Sequence, residues 1–101
     1  MALGIARATV DWSTRHTGPG DHIAPEQTHY KPKGGATVFV NGQPAITVDD
    51  LTDCDDKAKE GSGTVFIGGK AVHRLGDKMD SHENTFTPSF CASASGNVFA
   101  G

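Results

Sequence analysis

The fold is decided by two stretches that repeat one another: residues 34–54 read GGATVFVNGQPAITVDDLTDC, and residues 61–82 read GSGTVFIGGKAVHRLGDKMDSH. Each copy passes from a Gly/Ser turn through TVF, a Gly turn and a second apolar segment to an Asp, and then ends in Cys or His. Thr64 follows Thr37 by 27 positions, and the closing Asp residues keep the same spacing. A period that holds through the whole unit predicts a repeat architecture.

A third copy is divided between the two ends of the chain. Residues 95–101, SGNVFAG, match only the first half of the unit, and residues 6–16, ARATVDWSTRH, match only its second half. A seam inside one copy is what a closed three-sided figure requires, because the last strand must return beside the first. The sequence therefore predicts pseudo-threefold closure.

The local pattern predicts strands and tight turns. In TVFV at 37–40 and TVFI at 64–67 the aliphatic residues alternate with Thr and Phe, a period of two that is typical of half-buried strands. Asn-Gly at 41–42 and Gly-Gly at 68–69 supply the positive φ angles of hairpin turns. Thirteen Gly and five Pro leave little room for long helices. We therefore predict an all-β fold.

Two insertions interrupt the period, at residues 17–33 and 83–95. Both are polar or rich in residues that break regular structure, so we expect loops there. Both follow the same point of the unit. We therefore expect them to project from the same end of the figure.

Length and charge exclude several classes of protein. The 101 residues suit one domain, and we expect a single domain over 1–101 with no effector extension. The net charge of −3 argues against a nucleic-acid binder, since those usually carry basic patches. No apolar run approaches the length of a membrane span, and the polar start predicts that there is no signal peptide.

The three units share a feature typical of a metal site. Aligned on their Asp, all three end in a metal-type ligand, namely His16, Cys54 and His82. In a closed figure these side chains would converge on the axis. A structural Zn²⁺ takes four nitrogen or sulfur ligands, so the fourth must break the symmetry. The candidates lie on the insertions and are His29, His22 and Cys91.

We rank His29 first because it directly precedes the KPKGG turn into the next strand. His22 is the close second, with a solvated loop histidine as its other interpretation. Cys91 could equally be a small buried thiol, or it could pair with Cys54 in a disulfide. For His73, in the segment AVHRL, we expect a surface or partner-facing position.

Catalysis has weaker support than a structural metal. Glu26, Glu60 and Glu83 are available as bases, but none stands in an HExxH-like frame. Cys54 with His82 is possible as a nucleophile pair, although no substrate pocket can be read from so small a chain. We expect no enzyme, and we keep a small zinc-dependent hydrolase or redox protein as the alternative.

The repeated frame resembles that of the PAAR-repeat proteins, the spike-tip proteins of contractile injection machines such as type VI secretion systems and phage tails. The resemblance rests on GGATVFVNGQPAITVDD, GSGTVFIGGKAVHRLGD, the closing SGNVFAG and the DSH at 80–82. The name-giving tetrapeptide is degraded to PAIT at 44–47, AVHR at 71–74 and ARAT at 6–9. Any role of that tetrapeptide is therefore less secure here than the repeat frame.

The resemblance implies a small conical β-helix-like fold with one structural zinc near its vertex. It carries the metal positions onto His16, Cys54 and His82, with His29 the best match for the loop ligand. It implies that one chain caps the blunt end of a trimeric β-helical spike, VgrG-like or from a phage, helps it pierce the target envelope, and travels with effectors. Such a tip is made in the cytoplasm and delivered through that envelope. The candidates for the apolar base that meets the spike are Ile5, Phe39, Phe66 and Phe99.

Overall fold

The computed structural model of the chain describes residues 2–14, 27–80 and 89–101. Within these ranges it is all β, as the sequence predicts, and no helix is present that could cross a membrane. The strands are short: β1 Leu3–Gly4, β2 Trp12–Thr14, β3 Gln27–His29, β4 Phe39–Val40, β5 Gln43–Pro44, β6 Lys57–Ala58, β7 Phe66–Ile67, β8 Lys70–Ala71, β9 Met79–Asp80 and β10 Phe99–Ala100.

Three antiparallel strand pairs correspond to the first half of the three sequence units. Strand β4 pairs with β5 and β7 with β8, while β10 at one chain end pairs with β1 at the other. The register places Phe39 opposite Pro44, Phe66 opposite Ala71 and Phe99 opposite Gly4. The prediction that the last strand returns beside the first is thus confirmed.

The hairpin turns have the predicted backbone conformation. Asn41 and Gly42 have φ angles of 52° and 84°, and Gly68 and Gly69 have φ angles of 59° and 81°. Two successive residues with positive φ form the type of turn that matches the twist of a two-residue hairpin. The Asn-Gly and Gly-Gly sequences therefore determine where β4 and β7 reverse.

A ring of backbone hydrogen bonds joins the three units just after these pairs. Ala6 N donates to His73 O at 3.0 Å, His73 N donates to Ile46 O at 2.8 Å, and Ile46 N donates to Ala6 O at 2.9 Å. All three residues are fully buried. Each unit is therefore held by the other two at this level, so that no sheet edge is left open there.

After the ring, the chain of each unit runs away from the ring in an outgoing segment and then comes back toward it in a returning segment. The outgoing segments are residues 12–14, 51–53 and 78–80, and the returning segments are residues 28–30, 56–58 and 89–91. Antiparallel bridges join neighbouring units: Tyr30 with Thr52, Ala58 with Met79, and Cys91 with Ser13. Bridges within units are antiparallel too. Because outgoing and returning segments alternate around the circle, the three outgoing segments run in the same direction.

The core has two parts, one on each side of the ring. The first contains Ile5, Val40, Ala45, Val72 and Ala100. The second contains Ala6, Ala8, Tyr30, Ile46, Ala58, Met79 and Cys91. Further along the outgoing and returning segments the buried residues are mostly polar: Ser13, Thr28, Thr52, Asp56 and Ser89. The interior is therefore apolar near the ring and mostly polar at the end of the molecule where the outgoing segments end.

Three expectations from the sequence need correction. His73 is fully buried rather than exposed, because its ring finds two hydrogen-bond partners inside the protein. The first insertion is not a loop throughout, since Gln27–His29 pairs with β2. Alternation in the TVF segments also fails at Val38 and Val65, which are exposed although Val40 is buried. The strands are too short to bury two aliphatic residues each.

Candidate docking face and metal centre

Three phenylalanines form an exposed apolar surface, which we call the docking face. Phe39, Phe66 and Phe99 occupy the same register position in the three strand pairs, and their exposed fractions are 57%, 56% and 53%. Val38 and Val65 beside them are exposed as well. Isolated exposed apolar residues are normal, but these recur at one register position in all three strand pairs, so we treat them as one candidate interaction surface.

Asn41 links the first hairpin to the closing half-unit beside this face. Its Oδ1 accepts hydrogen bonds from Arg7 Nη1 at 3.2 Å and Ser95 Oγ at 2.7 Å, and its Nδ2 donates to Asn97 Oδ1 at 3.0 Å. Sequence reasoning identified Asn41 only as a turn residue. Its bridging role depends on three partners that are distant in the chain, which a local pattern cannot show.

Serines order the turns that lead into two of the exposed strands. Ser95 Oγ accepts from the backbone N–H groups of Asn97 and Val98, and Ser62 Oγ accepts from those of Thr64 and Val65. A serine hydroxyl that accepts from N–H groups two and three residues on stabilises a tight turn. These hydrogen bonds fix the backbone just before β7 and β10, the strands that carry Phe66 and Phe99.

Cys54 lies in the turn that joins the outgoing segment of its unit to the returning segment. Its thiol is half-buried, and desolvation, reinforced by Asp56 and Asp55, raises its pKa. Asp53 N next to it donates to His29 O at 2.8 Å. A metal ion would remove the electrostatic cost of the thiolate at this position, since a coordinating thiol is deprotonated by the metal charge.

The other two described candidates for metal ligands, His29 and Cys91, have different surroundings from Cys54. The imidazole of His29 packs against Trp12 with ring centroids 5.5 Å apart, and its neighbours Thr28 and Tyr30 are buried. Cys91 is a buried free thiol whose Sγ donates to Ser93 O at 3.3 Å, and burial raises its pKa to about 11.

His16, His22 and His82 lie outside the described residues. Within 2–14, 27–80 and 89–101 there is no group of three or more side chains that could hold a metal ion. The structure does describe the segments that directly precede two of these histidines. Thr14 and Asp80, the last described residues of two outgoing segments, each stand two positions before a predicted histidine ligand.

Comparison with known proteins gives one match. A family model for the PAAR motif matches residues 17–82, which include both complete copies of the repeat. The divided third copy lies outside the matched range. Neither a search of curated proteins nor a search of solved structures found a match.

Proposed function

This chain belongs to the PAAR-motif family of spike-tip proteins in contractile injection systems, and we propose that it caps one trimeric β-helical spike. The family is structural rather than enzymatic, and its members associate with a spike such as VgrG. The partner in our proposal is either a VgrG-like spike or the central spike of a phage tail. The tip sharpens that spike and helps it pierce the envelope of the target cell.

The observation that carries the proposal is the docking face. Its three phenylalanines are presented by three strand pairs of one register, so a single chain offers three similar contacts. The blunt end of a trimeric β-helix offers three equivalent edges, whose unpaired backbone groups and apolar side chains need a cover. Each ring is already about half buried, so covering it contributes about 1 kcal/mol, half of the value for full burial. The three contacts therefore add to the backbone pairing at the three edges and do not replace it.

The ring and the bridges support a pseudo-threefold cone. The hydrogen bonds among Ala6, Ile46 and His73 run from each unit to the next in a closed circle. The bridges between outgoing and returning segments close a second circle beyond it. In our proposal the docking face is the base of the cone, and the ends of the outgoing segments lie at its vertex.

We also propose one structural Zn²⁺ at the vertex, held by His16, Cys54 and His82. These residues follow the three outgoing segments, which run in the same direction, by one or two positions. The buried side chains toward that end are mostly polar, so apolar packing contributes little there. Thiolate and imidazole are zinc ligands, and zinc binding can contribute about 10 kcal/mol to folding. His29 is the proposed fourth ligand; its tilted contact with Trp12, with ring centroids 5.5 Å apart, would orient the imidazole.

This arrangement would let a narrow point survive mechanical load. A cone of this size cannot enclose a hydrophobic core at its vertex, and a closed metal site would hold the chain there instead. The docking face would transmit force from the spike to the cone. Effectors could travel with such a tip, and the tip itself would not act as an enzyme.

The docking face is tested with a charge at one of its phenylalanines. Phe66→Glu should weaken binding to the trimeric spike of the same injection system at least tenfold, because a desolvated carboxylate replaces a buried ring. Phe90→Glu is the matched control, since Phe90 is 48% exposed on a returning segment and should leave affinity unchanged. Equal affinities for all three proteins would refute this assignment of the face.

A further inference from the structure

Each unit has an Asp shortly after the ring, and its carboxylate accepts a hydrogen bond from the backbone N–H of the residue that directly follows the ring residue. The backbone donors are equivalent: Arg7 N to Asp11, Thr47 N to Asp50 and Arg74 N to Asp77, each at 2.8 Å. Asp11 and Asp77 are buried and Asp50 is half-buried. A desolvated carboxylate needs a cation beside it, since an unpaired buried charge is strongly destabilising.

In two units the cation is the arginine that also supplies the backbone donor. Arg7 Nε lies 2.7 Å from Asp11 Oδ2, and Arg74 Nε lies 2.9 Å from Asp77 Oδ2. In both, a second nitrogen, Nη2, reaches the other carboxylate oxygen. This two-point contact is the arrangement for which a guanidinium is best suited.

The third unit has Thr47 at the arginine position, and its cation comes from elsewhere. Lys33 Nζ lies 2.8 Å from Asp50 Oδ2, and it also donates to Ala45 O at 3.0 Å and Thr47 Oγ1 at 3.2 Å. All three donor sites of the ammonium group are therefore used within this unit.

The repeat alignment shows that the cation has changed position. With the spacings that relate the TVF segments, Lys33 corresponds to Glu60 in the next unit and to Ser93 in the divided one. Neither is a cation, and both belong to units that have the arginine. Ser93 Oγ still contacts the equivalent carboxylate, donating to Asp11 Oδ1 at 2.6 Å. The same position thus faces the Asp in two units, as a lysine only where the arginine is missing.

We infer that Lys33 replaces the missing arginine and positions the outgoing segment that leads to Cys54. Asp50, which it holds, is the first residue before that segment, and its carbonyl accepts from Ala58 N on the returning side at 2.8 Å. The link to Cys54 as a zinc ligand rests on the proposed function, whereas the replacement of arginine by lysine does not.

The space around the pair permits a direct exchange. A groove of about 330 Å³ runs beside it, lined by Thr47, Val38, Ile67 and Lys70 among others. The Lys33–Asp50 pair is also more exposed than the two arginine pairs, with a side-chain exposure of 26% for Asp50 against 0% for Asp11. An arginine at position 47 would thus have room once the lysine side chain is removed.

The test is a double-mutant cycle on the full chain. Lys33→Ala should lower the melting temperature by about 5–10 °C, and adding Thr47→Arg should restore at least half of that loss. Thr47→Arg in the wild-type background should give no gain, because the carboxylate is already paired. Lys70→Ala is the control: its pair with Asp49 is half exposed, so the shift should stay below about 2 °C.

The reciprocal exchange guards against a failure of Thr47→Arg to fold. Arg7→Thr should destabilise the divided unit, and Ser93→Lys should recover part of the loss by recreating the lysine arrangement. A Lys33→Ala shift no larger than that of Lys70→Ala, or the absence of rescue in both exchanges, would overturn the inference.

Two further readouts separate this inference from the zinc proposal. Metal content is measured for every variant, and rescue is expected whether or not zinc is found. Alkylation of Cys54 by iodoacetamide, resolved from Cys91 by mass spectrometry, should be several-fold faster in Lys33→Ala and return toward the wild-type rate in the rescued protein. An unchanged rate would show that Lys33 does not position the Cys54 turn.

Discussion

His73 Nε2 lies 2.9 Å from the hydroxyl oxygen of Tyr30, while its Nδ1 lies 2.7 Å from the carbonyl oxygen of Glu60. A carbonyl oxygen only accepts, so Nδ1 carries the proton, and Nε2 accepts from the Tyr30 hydroxyl. Both ring nitrogens are thus satisfied by a neutral imidazole in the middle of the hydrogen-bonded ring. An imidazolium could still donate from Nε2 to Tyr30 Oη, whose hydroxyl lies 3.6 Å from Met79 Sδ, but its charge would be buried and desolvated.

This geometry predicts a loss of stability in acid. Burial lowers the pKa of His73, against smaller opposing effects of the hydrogen bond to Glu60 O and of Asp77 and Asp50, with Arg74 acting in the same direction as burial. The folded protein then binds fewer protons than the unfolded chain, whose histidine pKa is about 6.5. The contribution of His73 to the free energy of unfolding should therefore be fully present well above about pH 6.5 and be lost as the pH falls below it.

The measurement is urea unfolding between pH 7.5 and 5.5 with metal content held constant. His73→Gln keeps a donor for Glu60 O and an acceptor for Tyr30 without a titrating group, so this variant should lose less stability over that range. Parallel pH profiles for the two proteins would show that His73 is not the group responsible.

A second prediction concerns the seam between the chain ends. A Cβ at Gly4 would lie 2.1 Å from Ser95 O, whereas a Cβ at Gly63 would meet nothing within 4 Å. Gly4→Ala should therefore reduce the free energy of unfolding by roughly 1–3 kcal/mol, since backbone must move where β1 pairs with β10. Gly63→Ala is the control and should change it little. Chemical denaturation measures both, and equal effects would contradict a close-packed seam.

A third prediction concerns zinc. The protein purified without chelator should contain one zinc per chain, and His82→Ala or Cys54→Ser should release it and lower the melting temperature sharply, because the lost ligand opens the site. Elemental analysis that finds no metal in the wild-type protein would contradict the proposal.

The same assay decides the fourth ligand. The sequence ranks His29 first, so His29→Ala should lose more zinc than His22→Ala or Cys91→Ala. Full zinc content in His29→Ala, with loss in one of the other two, would reassign the ligand. In that case the contact between His29 and Trp12 is a packing contact only.

Much of the fold follows from local pattern and from the period. The turn residues Asn41 and Gly68 mark where hairpins reverse, because their backbone conformation depends on few neighbours. The divided unit predicts that the last strand returns beside the first, and the structure pairs Leu3 with Ala100. Both conclusions need only the order of residues within a unit and the length of the repeat.

Other features depend on contacts between units, which the period does not contain. His73 is buried because Tyr30, 43 positions away, meets its ring; by itself the segment AVHRL favours an exposed histidine. Gln27–His29 becomes a strand because β2 is available as its partner. Lys33 reads as part of a polar turn until its distance to Asp50 is known. The predicted ligands His16, His22 and His82 lie outside the described residues and stay predictions.

The most direct test of the account is the stoichiometry of tip and spike. Purified tip, mixed in excess with a trimeric β-helical spike fragment, should give a complex whose native mass equals the trimer plus one chain, because one chain supplies all three contacts of the docking face. A mass corresponding to three tips per trimer, or no complex at micromolar concentrations, would contradict the account.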